Sequence, residues 1–306
     1  MITDLGHHCY LIDARMHGEP ERLACYLFDT PNRVLVECGP SSSIEHLFEA
    51  LDEAGVDDVA VLAVTHIHLD HAGGAGHFAR KFPGARVAVH RTGAPHLADP
   101  ARLTASAARI WGEEGSRELW GPIDPVDPGR LQVVDEGDRI ALGGGRSIEV
   151  MYTPGHARHH VAYAEEQTGA LFVGDAAGMA FPHGHGVQPA TPPPDFDPDL
   201  TVRQLHRMAD RRPAFLGFAH FGPHDDPQAA LEEAERRVRR WVEWVEADAG
   251  AGSEPGAALR ARVLAEYRAA GWDPADIDTY DRNTFWPMQE AGIRRWLELR
   301  DRDRRP

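Results

Sequence analysis

The chain has 306 residues, 42% of them hydrophobic, which is enough to bury a large core. Its 48 acidic residues outnumber its 32 basic ones, and the net charge of -16 argues against a nucleic acid partner because a polyanion would be repelled. No run of the sequence approaches the roughly 18 apolar residues of a membrane span, and the first residues lack the pattern of a signal peptide. The three cysteines have no disulfide-framework spacing, so we expect a soluble, cytoplasmic protein that binds neither nucleic acid nor membrane.

Taken in chain order, apolar runs and turn signals predict a mixed α/β core. The first half is predicted to contain strands at residues 9–13, 23–29, 33–38, 59–64 and 86–90, and helices at 44–54, at 75–82 and within 95–120. The second half is predicted to contain a three-stranded meander at 131–134, 139–142 and 147–152, a hairpin at 161–164 and 170–173, a loop at 178–198 with His183 and His185, a helix at 200–209 and a strand at 214–219.

From residue 227 onward the pattern becomes helical. Apolar residues recur at helical spacing from Leu231 to Val245, and a linker rich in glycine at 250–256 precedes predicted helices at 257–270 and 287–300. We therefore expect an αβ sandwich core over residues 1–225 and a C-terminal helical extension over residues 226–306 that packs on the core.

The most informative segment follows the buried strand predicted at 59–64 and reads Thr65-His66-Ile67-His68-Leu69-Asp70-His71. Side chains alternate along extended backbone, so His66 and His68 point the same way and can share one metal ion. The turn that follows directs Asp70 and His71 toward a second position. Imidazole beside carboxylate indicates a site for borderline divalent metals.

Three further candidate ligands each follow a predicted strand. His156 stands in Thr-Pro-Gly-His after the strand at 147–152, Asp175 follows the strand at 170–173, and His220 follows the strand at 214–219. A lone histidine or aspartate at a strand end is more often structural. Three of them at three strand ends indicate one shared rim.

These motifs together resemble those of the metallo-β-lactamase fold superfamily, over about residues 1–225. The resemblance implies an αββα sandwich of two mixed β-sheets flanked by helices, with the metal ligands on loops at one edge. Carried over residue by residue, it implies one metal ion held by His66, His68 and His156, a second held by Asp70, His71 and His220, and Asp175 bridging the two.

The chain departs from the family pattern around these ligands. The family often has aspartate in an early turn where this chain has Glu37, so a longer carboxylate must fold back to hydrogen-bond the ligand histidines. After His156, we expect His160 to orient a ligand, and Arg158 and His159 to contact substrate. The alternative is that Arg158 and His159 are structural or solvated.

Two divalent ions about 3.5 to 4 Å apart lower the pKa of a bridging water, so that hydroxide is present at neutral pH and can attack a carbonyl. Asp70 is expected to orient this hydroxide and to pass a proton to the leaving group. The sequence therefore predicts a dinuclear, metal-dependent hydrolase for a small thioester, lactone or related ester, similar to glyoxalase II-like and lactonase-like members. Zinc is the first expectation for both ions, with iron or manganese as alternatives.

Two other functions stay open at this point. Persulfide dioxygenases resemble this fold and use a single iron, whose ligands would correspond to His71, His156 and Asp175. A metal-binding protein without turnover is the third reading. β-Lactam hydrolysis is less expected, because the relevant zinc enzymes generally lack an aspartate at the position of Asp175.

The tail is rich in tryptophan and carries an amphipathic stripe that must be buried. We expect it to form one wall of the substrate pocket, with Trp286 and Met288 as contacts. A homodimer interface is the alternative use of the same surface.

Overall fold

A computed structural model describes residues 2–180, 186–248, 252 and 254–303 of the chain. His183 and His185 of the predicted loop lie outside these residues. Within them, Cys9, Cys25 and Cys38 are buried free thiols, and the helices include none that is both long and apolar enough to cross a membrane.

The first β-sheet has seven strands in the described chain, and their spatial order is their chain order. They are β1 (Ile2–Asp4), β2 (Cys9–Asp13), β3 (Ala24–Phe28), β4 (Val34–Val36), β5 (Val61–Ala63), β6 (Arg86–His90) and β7 (Leu131–Val134). The pairs from β1 to β4 are antiparallel, whereas β4, β5, β6 and β7 run parallel. Residues that follow β4 and β5 therefore emerge at the same edge of the sheet.

The second β-sheet has six strands among the described residues, in the order β15-β14-β11-β10-β9-β8. They are β8 (Arg139–Gly143), β9 (Arg146–Tyr152), β10 (Val161–Glu165), β11 (Ala170–Gly174), β14 (Phe215–Phe218) and β15 (Gly222–His224). Strands β11 and β14 are parallel, so the residues after them also emerge at one edge. A small separate pair is formed by β12 (Met179–Ala180) and β13 (Val187–Gln188).

The two sheets pack face to face over an apolar core that contains Phe28, Tyr163 and Phe172. Two buried tyrosines add hydrogen bonds between the sheets. Tyr163 donates to the Val64 carbonyl at 2.8 Å, and Tyr26 donates to the Phe218 carbonyl at 2.6 Å. Both carbonyls lie within two residues of the strand ends that carry candidate ligands, so these bonds fix the separation of the sheets at the site.

Helices lie outside both sheets and form the C-terminal extension. They are α1 (Ile44–Glu53), α2 (Leu69–Ala72), α3 (Ala75–Lys81), α4 (Ala94–Ala98), α5 (Ala101–Trp120), α6 (Pro198–Asp210), α7 (Pro227–Ala247), α8 (Ala257–Ala269), α9 (Pro274–Asn283) and α10 (Trp286–Asp303). Residues of α1, α3 and α4 share a core with the first sheet, and residues of α6 and α7 share one with the second. The layers are therefore helix, sheet, sheet, helix, which confirms the predicted αββα sandwich of two mixed sheets.

The C-terminal helices have a core of their own. It contains Trp241 of α7, Val263 of α8, Tyr280 of α9 and Ile293 of α10. Phe196, just before α6, and Val202, within α6, belong to the same core and connect it to the sandwich. The second half of the amphipathic stripe of α7, from Val238 to Val245, is buried here, whereas Leu231 and Ala234 pack in the core shared with the second sheet.

The prediction of a three-stranded meander at residues 131–152 is wrong for its first strand, which lies in the other sheet. β7 pairs in parallel with β6 in the first sheet, and the chain crosses to the second sheet only at β8. The same apolar run fits either sheet, because its place is decided by a partner strand whose paired residues lie 44 positions earlier (Val87 pairs with Leu131) and not by its own pattern. The sequence also did not predict β1, β15, α9 or the short strands β12 and β13 inside the predicted loop.

Candidate active site

The histidine-rich motif lies at the junction between β5 and α2. His68 has extended backbone, with φ of -62° and ψ of 152°, and α2 begins at the next residue. His66 and His68 therefore lie on one side of an extended segment, and the first turn of α2 carries Asp70 and His71. This is the arrangement that the spacing predicts.

The first group of converging side chains contains His66, His68 and His156. His68 Nδ1 lies 2.9 Å from His66 Nε2 and 3.0 Å from His156 Nε2. His156 Nδ1 donates to the Ala190 carbonyl at 2.9 Å, which leaves its Nε2 as the atom with a lone pair. Three ring nitrogens therefore point at one position.

The second group contains Asp70, His71 and His220. Asp70 Oδ2 lies 3.4 Å from His220 Nε2 and 3.7 Å from His71 Nε2. His220 Nδ1 donates to the Arg22 carbonyl at 2.6 Å, so its Nε2 also carries a lone pair toward the group. His71 Nδ1 lies 3.1 Å from Glu37 Oε1 on its other side.

Asp175 lies between the two groups. Its Oδ2 is 3.6 Å from His156 Nε2, and its Oδ1 is 3.5 Å from His71 Nε2. The Asp175 backbone N–H donates to His160 Nε2 at 3.1 Å, which fixes the start of the loop. Gly174 allows this approach, because at its φ of 50° a Cβ would lie 2.5 Å from Thr65 Oγ1 and 2.7 Å from His160 Nε2.

Glu37 supports the site from behind. It is buried in the turn after β4 and accepts hydrogen bonds from the Thr65 hydroxyl and, at 3.4 Å, from the Thr65 backbone N–H. The same carboxylate contacts His71 Nδ1. The longer side chain therefore contacts the candidate ligand His71, on backbone with φ of 67° that is uncommon for a residue with a Cβ.

The charges and hydrogen bonds of the site fit divalent metal ions. Burial, followed by the neighbouring His156, lowers the pKa of His68 to about 4, and burial lowers the pKa of His66 well below its usual range, so both rings are neutral ligands. Burial would also lower the pKa of His71, but the carboxylates of Asp175, Asp70 and Glu37 outweigh it and raise that pKa well above its usual range. The carboxylates around the second group therefore favour a positive charge at this position.

Two buried atoms at the centre, His71 Nε2 and Asp175 Oδ1, make no hydrogen bond among the described residues. Buried polar atoms without partners are rare, and a cation between them would satisfy both. Five imidazoles and two carboxylates form a donor set that suits zinc, iron or manganese.

A cavity of about 900 Å³ opens onto these groups. Its floor includes His68, Asp70 and His220, and one wall comes from α5, including Trp111. Residues at the junction of α9 and α10, among them Thr284, Phe285 and Met288, also line the cavity, and the Phe285 ring centroid lies 6.0 Å from that of Trp111. The described part of the helical extension therefore lines the cavity at this junction.

Three of the four predicted substrate contacts line the cavity, and the fourth does not. Met288 and His159 line the cavity, and so does Arg158, whose exposed guanidinium pairs with Asp195 at 2.8 Å. The prediction for Trp286 is corrected, because its side chain is buried among Trp241 and Tyr280 in the core of the extension. An amphipathic pattern shows that a tryptophan is buried but not which surface buries it.

Several residues of the site were missed by sequence reasoning. Arg22 and His17 line the cavity from the loop between β2 and β3, and Trp111 and Phe285 line it from the helices. None of these residues lies in a motif. The role of Thr65 could have been predicted from its position, because it directly precedes His66 at the end of a predicted buried strand.

Comparison with known proteins agrees with this geometry. Residues 20–220 match the family model described as the metallo-beta-lactamase superfamily. The chain is 30% identical over 193 residues to a metallo-beta-lactamase fold-containing protein from Sulfurisphaera tokodaii, a match that covers 62% of this chain and 68% of that protein.

Two further relatives carry enzyme names. A hydroxyacylglutathione hydrolase from Xanthomonas campestris is 30% identical over 214 residues, covering 67% of this chain and 66% of that protein. An acyl-coenzyme A thioesterase from Gallus gallus is 35% identical over 135 residues, covering 40% and 43%. The chain thus spans between two fifths and two thirds of the length of these two enzymes.

Two solved structures show the fold. An archaeal metallo-beta-lactamase superfamily protein from Sulfolobus tokodaii has a TM-score of 0.63 and 26% identity, covering 78% of this chain and 87% of that one. A metallo-beta-lactamase family protein from Thermus thermophilus has a TM-score of 0.65 and 23% identity, covering 98% of this chain and 95% of that one. The second likeness in fold includes the helical extension.

Proposed function

Because this chain belongs to the metallo-β-lactamase superfamily, we propose that it is a dinuclear, metal-dependent hydrolase for a small thioester, lactone or related ester. The observation that carries the proposal is the position of Asp175, which directs one carboxylate oxygen toward each of two ligand groups. A bridging carboxylate between two sets of imidazoles is what a two-metal site requires.

In this proposal the two groups hold two ions, zinc in the first instance. His66, His68 and His156 hold one ion, Asp70, His71 and His220 hold the other, and Asp175 contacts both. Bound there, the ions would lower the pKa of a water molecule and polarise the substrate carbonyl. Glu37 and the Arg22 and Ala190 carbonyls keep the ligand rings in the required tautomers.

Asp70 is the proposed catalytic residue. Its side chain is 26% exposed and lines the cavity, whereas that of Asp175 is 7% exposed. The Asp70 carboxylate can therefore contact both a water molecule beside the ligand groups and a substrate in the cavity. We assign it the orientation of that water and the transfer of a proton to the leaving group.

The division of the chain follows from this assignment. The core, residues 1–225, supplies the seven ligands. The extension, residues 226–306, supplies one wall of the cavity, where Phe285 and Met288 offer an apolar, partly dry surface to an acyl chain. The names of the two enzyme relatives support thioesters as the first substrates to test.

The test is a panel of acyl thioesters and lactones, assayed with zinc-loaded protein by release of thiol or acid. We expect hydrolysis of at least one thioester and its loss in His68→Ala, while His46→Ala, a half-buried histidine of α1 outside the cavity lining, keeps it. Failure to hydrolyse any member, together with oxygen uptake on glutathione persulfide by iron-loaded protein, would replace the proposal with the single-iron dioxygenase.

A further inference from the structure

Arg22 is a cation in the cavity with incomplete partners. Its side chain is only 16% exposed, yet the guanidinium makes long contacts, 3.4 Å to His17 Nδ1 and 3.6 Å to Glu19 Oε2. These are the hydrogen-bond and ion-pair contacts of the side chain within the described parts of the chain, and the Glu19 carboxylate is itself 54% exposed. A largely buried guanidinium is stabilised by close, paired hydrogen bonds, which neither neighbour provides.

The backbone of Arg22 is held against the proposed metal site. Its carbonyl accepts from His220 Nδ1 at 2.6 Å, so the residue stands directly behind a ligand of the second group. The loop that carries it is tied to the core, since Asp13 accepts from the Glu21 N–H at 3.0 Å and Ser43 Oγ accepts from the His17 N–H at 2.8 Å. The guanidinium is therefore positioned before any ligand binds.

The orientation of His17 leaves the guanidinium available. His17 Nε2 donates to the Leu119 carbonyl at 3.0 Å, so its Nδ1 is the acceptor that faces Arg22. A neutral ring can accept one hydrogen bond, and the remaining donors of the planar guanidinium have room at the cavity that Arg22 lines.

The charge around the cavity contrasts with that of the whole chain. The chain carries a net charge of -16, but the cavity is lined by four arginines and three aspartates. Asp70 and Asp175 belong to the ligand groups, and Asp195 pairs with Arg158. Arg102 is exposed, and the Arg282 side chain is 64% exposed, so Arg22 is the most buried of the arginines that line the cavity in the described part of the chain.

We propose that Arg22 is a specificity residue that binds a carboxylate of the substrate, so that the esters or thioesters cleaved here carry a free carboxylate a few bonds from the reacting carbonyl. The guanidinium fork matches the two oxygens of a carboxylate. This inference rests on the proposed hydrolase activity for its kinetic form, but the binding of a carboxylate by Arg22 can be measured without turnover.

The kinetic test compares a succinyl thioester with its counterpart in which the terminal carboxylate is an amide. Wild-type protein should prefer the carboxylate in kcat/KM, and Arg22→Gln should lose roughly 10- to 100-fold on the succinyl compound while changing little on the amide. The kcat/KM of Arg22→Lys on the succinyl compound should lie between those of wild type and Arg22→Gln, because lysine keeps the positive charge but lacks the paired N–H donors of the guanidinium. Arg109→Gln, an exposed arginine of α5 outside the cavity lining, is the matched control.

The binding test uses succinate and succinamate on zinc-loaded protein, followed by calorimetry. Each probe has one carboxylate for the metal ions, so the difference between them reports on the second group alone. We expect wild type to bind succinate more tightly and Arg22→Gln to bind both equally, with unchanged metal content because only the backbone of Arg22 contacts His220.

Equal affinity of wild type for the two probes, or a preference for succinate that persists in Arg22→Gln, would overturn the role of Arg22. Absence of hydrolysis with an intact binding preference would instead count against the hydrolase proposal alone.

Discussion

Three candidate ligand histidines are oriented by what their other ring nitrogen contacts. His156 and His220 donate to backbone carbonyls of Ala190 and Arg22, and His71 contacts the Glu37 carboxylate. Such contacts select the tautomer and raise the basicity of the nitrogen that faces the metal. The proposed site is thus defined by backbone atoms as much as by the ligands themselves.

Asp70→Asn keeps the size of the side chain and removes its charge. It should weaken the Asp70, His71 and His220 group and misdirect the attacking water, while the His66, His68 and His156 group remains. We expect turnover to fall by at least ~10², the lower end for loss of a positioned acid or base. The measurement is kcat on a thioester together with the metal content per chain.

Asp57→Asn, an exposed aspartate before β5, is the control for a lost surface charge. Near-normal hydrolysis by Asp70→Asn would contradict the assigned role. Retained iron and oxygen uptake on glutathione persulfide would favour the dioxygenase, because Asp70 does not correspond to one of its iron ligands.

How well single residues could be predicted depends on sequence distance. His66, His68, Asp70 and His71 lie within six residues, so strand alternation and one turn already place them. Arg22 contacts His220, which lies 198 residues later in the chain, and no local sequence pattern in the loop of Arg22 predicts this contact. Its role could only follow from the fold.

At the scale of elements, the parallel parts of the two sheets place the ligands. The residues after β4 and β5 bring Glu37 and the histidine motif to one edge, and the residues after β11 and β14 bring Asp175 and His220 to the facing edge. The sequence predicted these strands because each is short, apolar and followed by a polar residue. It assigned β7 to the wrong sheet because an edge strand, with Val133 55% exposed, has no pattern specific to its partner.

Helix α10 forms hydrogen bonds with the loop that carries Ala190 and Thr191 beside the site. The Thr191 N–H donates to Gln289 Oε1 at 2.6 Å, and the Thr191 hydroxyl lies 2.8 Å from the Gln289 carbonyl oxygen. The preceding residue, Ala190, supplies the carbonyl that orients His156. The extension thereby contributes to the geometry of the first ligand group as well as to the cavity wall.

Gln289→Leu should reveal this link. It leaves the buried Thr191 N–H without its acceptor, which costs about 1–3 kcal/mol in the free energy of unfolding. Zinc affinity of the first ligand group should fall as well, because the Ala190 carbonyl loses its support. Denaturant unfolding and metal titration measure the two effects.

Gln228→Leu, the same substitution at an exposed glutamine of α7, is the matched control. If Gln289→Leu lowers stability but leaves zinc affinity unchanged, the extension does not position His156.

At the scale of the whole molecule, the site joins the two sheets. Glu37 and His66 to His71 come from the first sheet, and His156, Asp175 and His220 come from the second. Metal ions bound between them would act as cross-links across the sandwich. Binding to the folded state alone stabilises a protein by about 2.7 kcal/mol at a free concentration of 100 Kd.

Removal of metal should therefore lower thermal stability. We expect a chelator to decrease Tm, zinc to restore it and magnesium to fail, because imidazole-rich sites discriminate against magnesium. Differential scanning calorimetry with and without chelator measures the effect. A Tm that is indifferent to chelation and to zinc would mean that the ligand groups do not hold metal in the folded protein.

The most direct measurement of the central claim is the number of metal ions per chain after reconstitution and removal of excess zinc, determined by elemental analysis. The two ligand groups and the bridging position of Asp175 predict two ions in wild type. One ion or fewer in fully folded, reconstituted wild type would contradict the dinuclear site and the mechanism that depends on it.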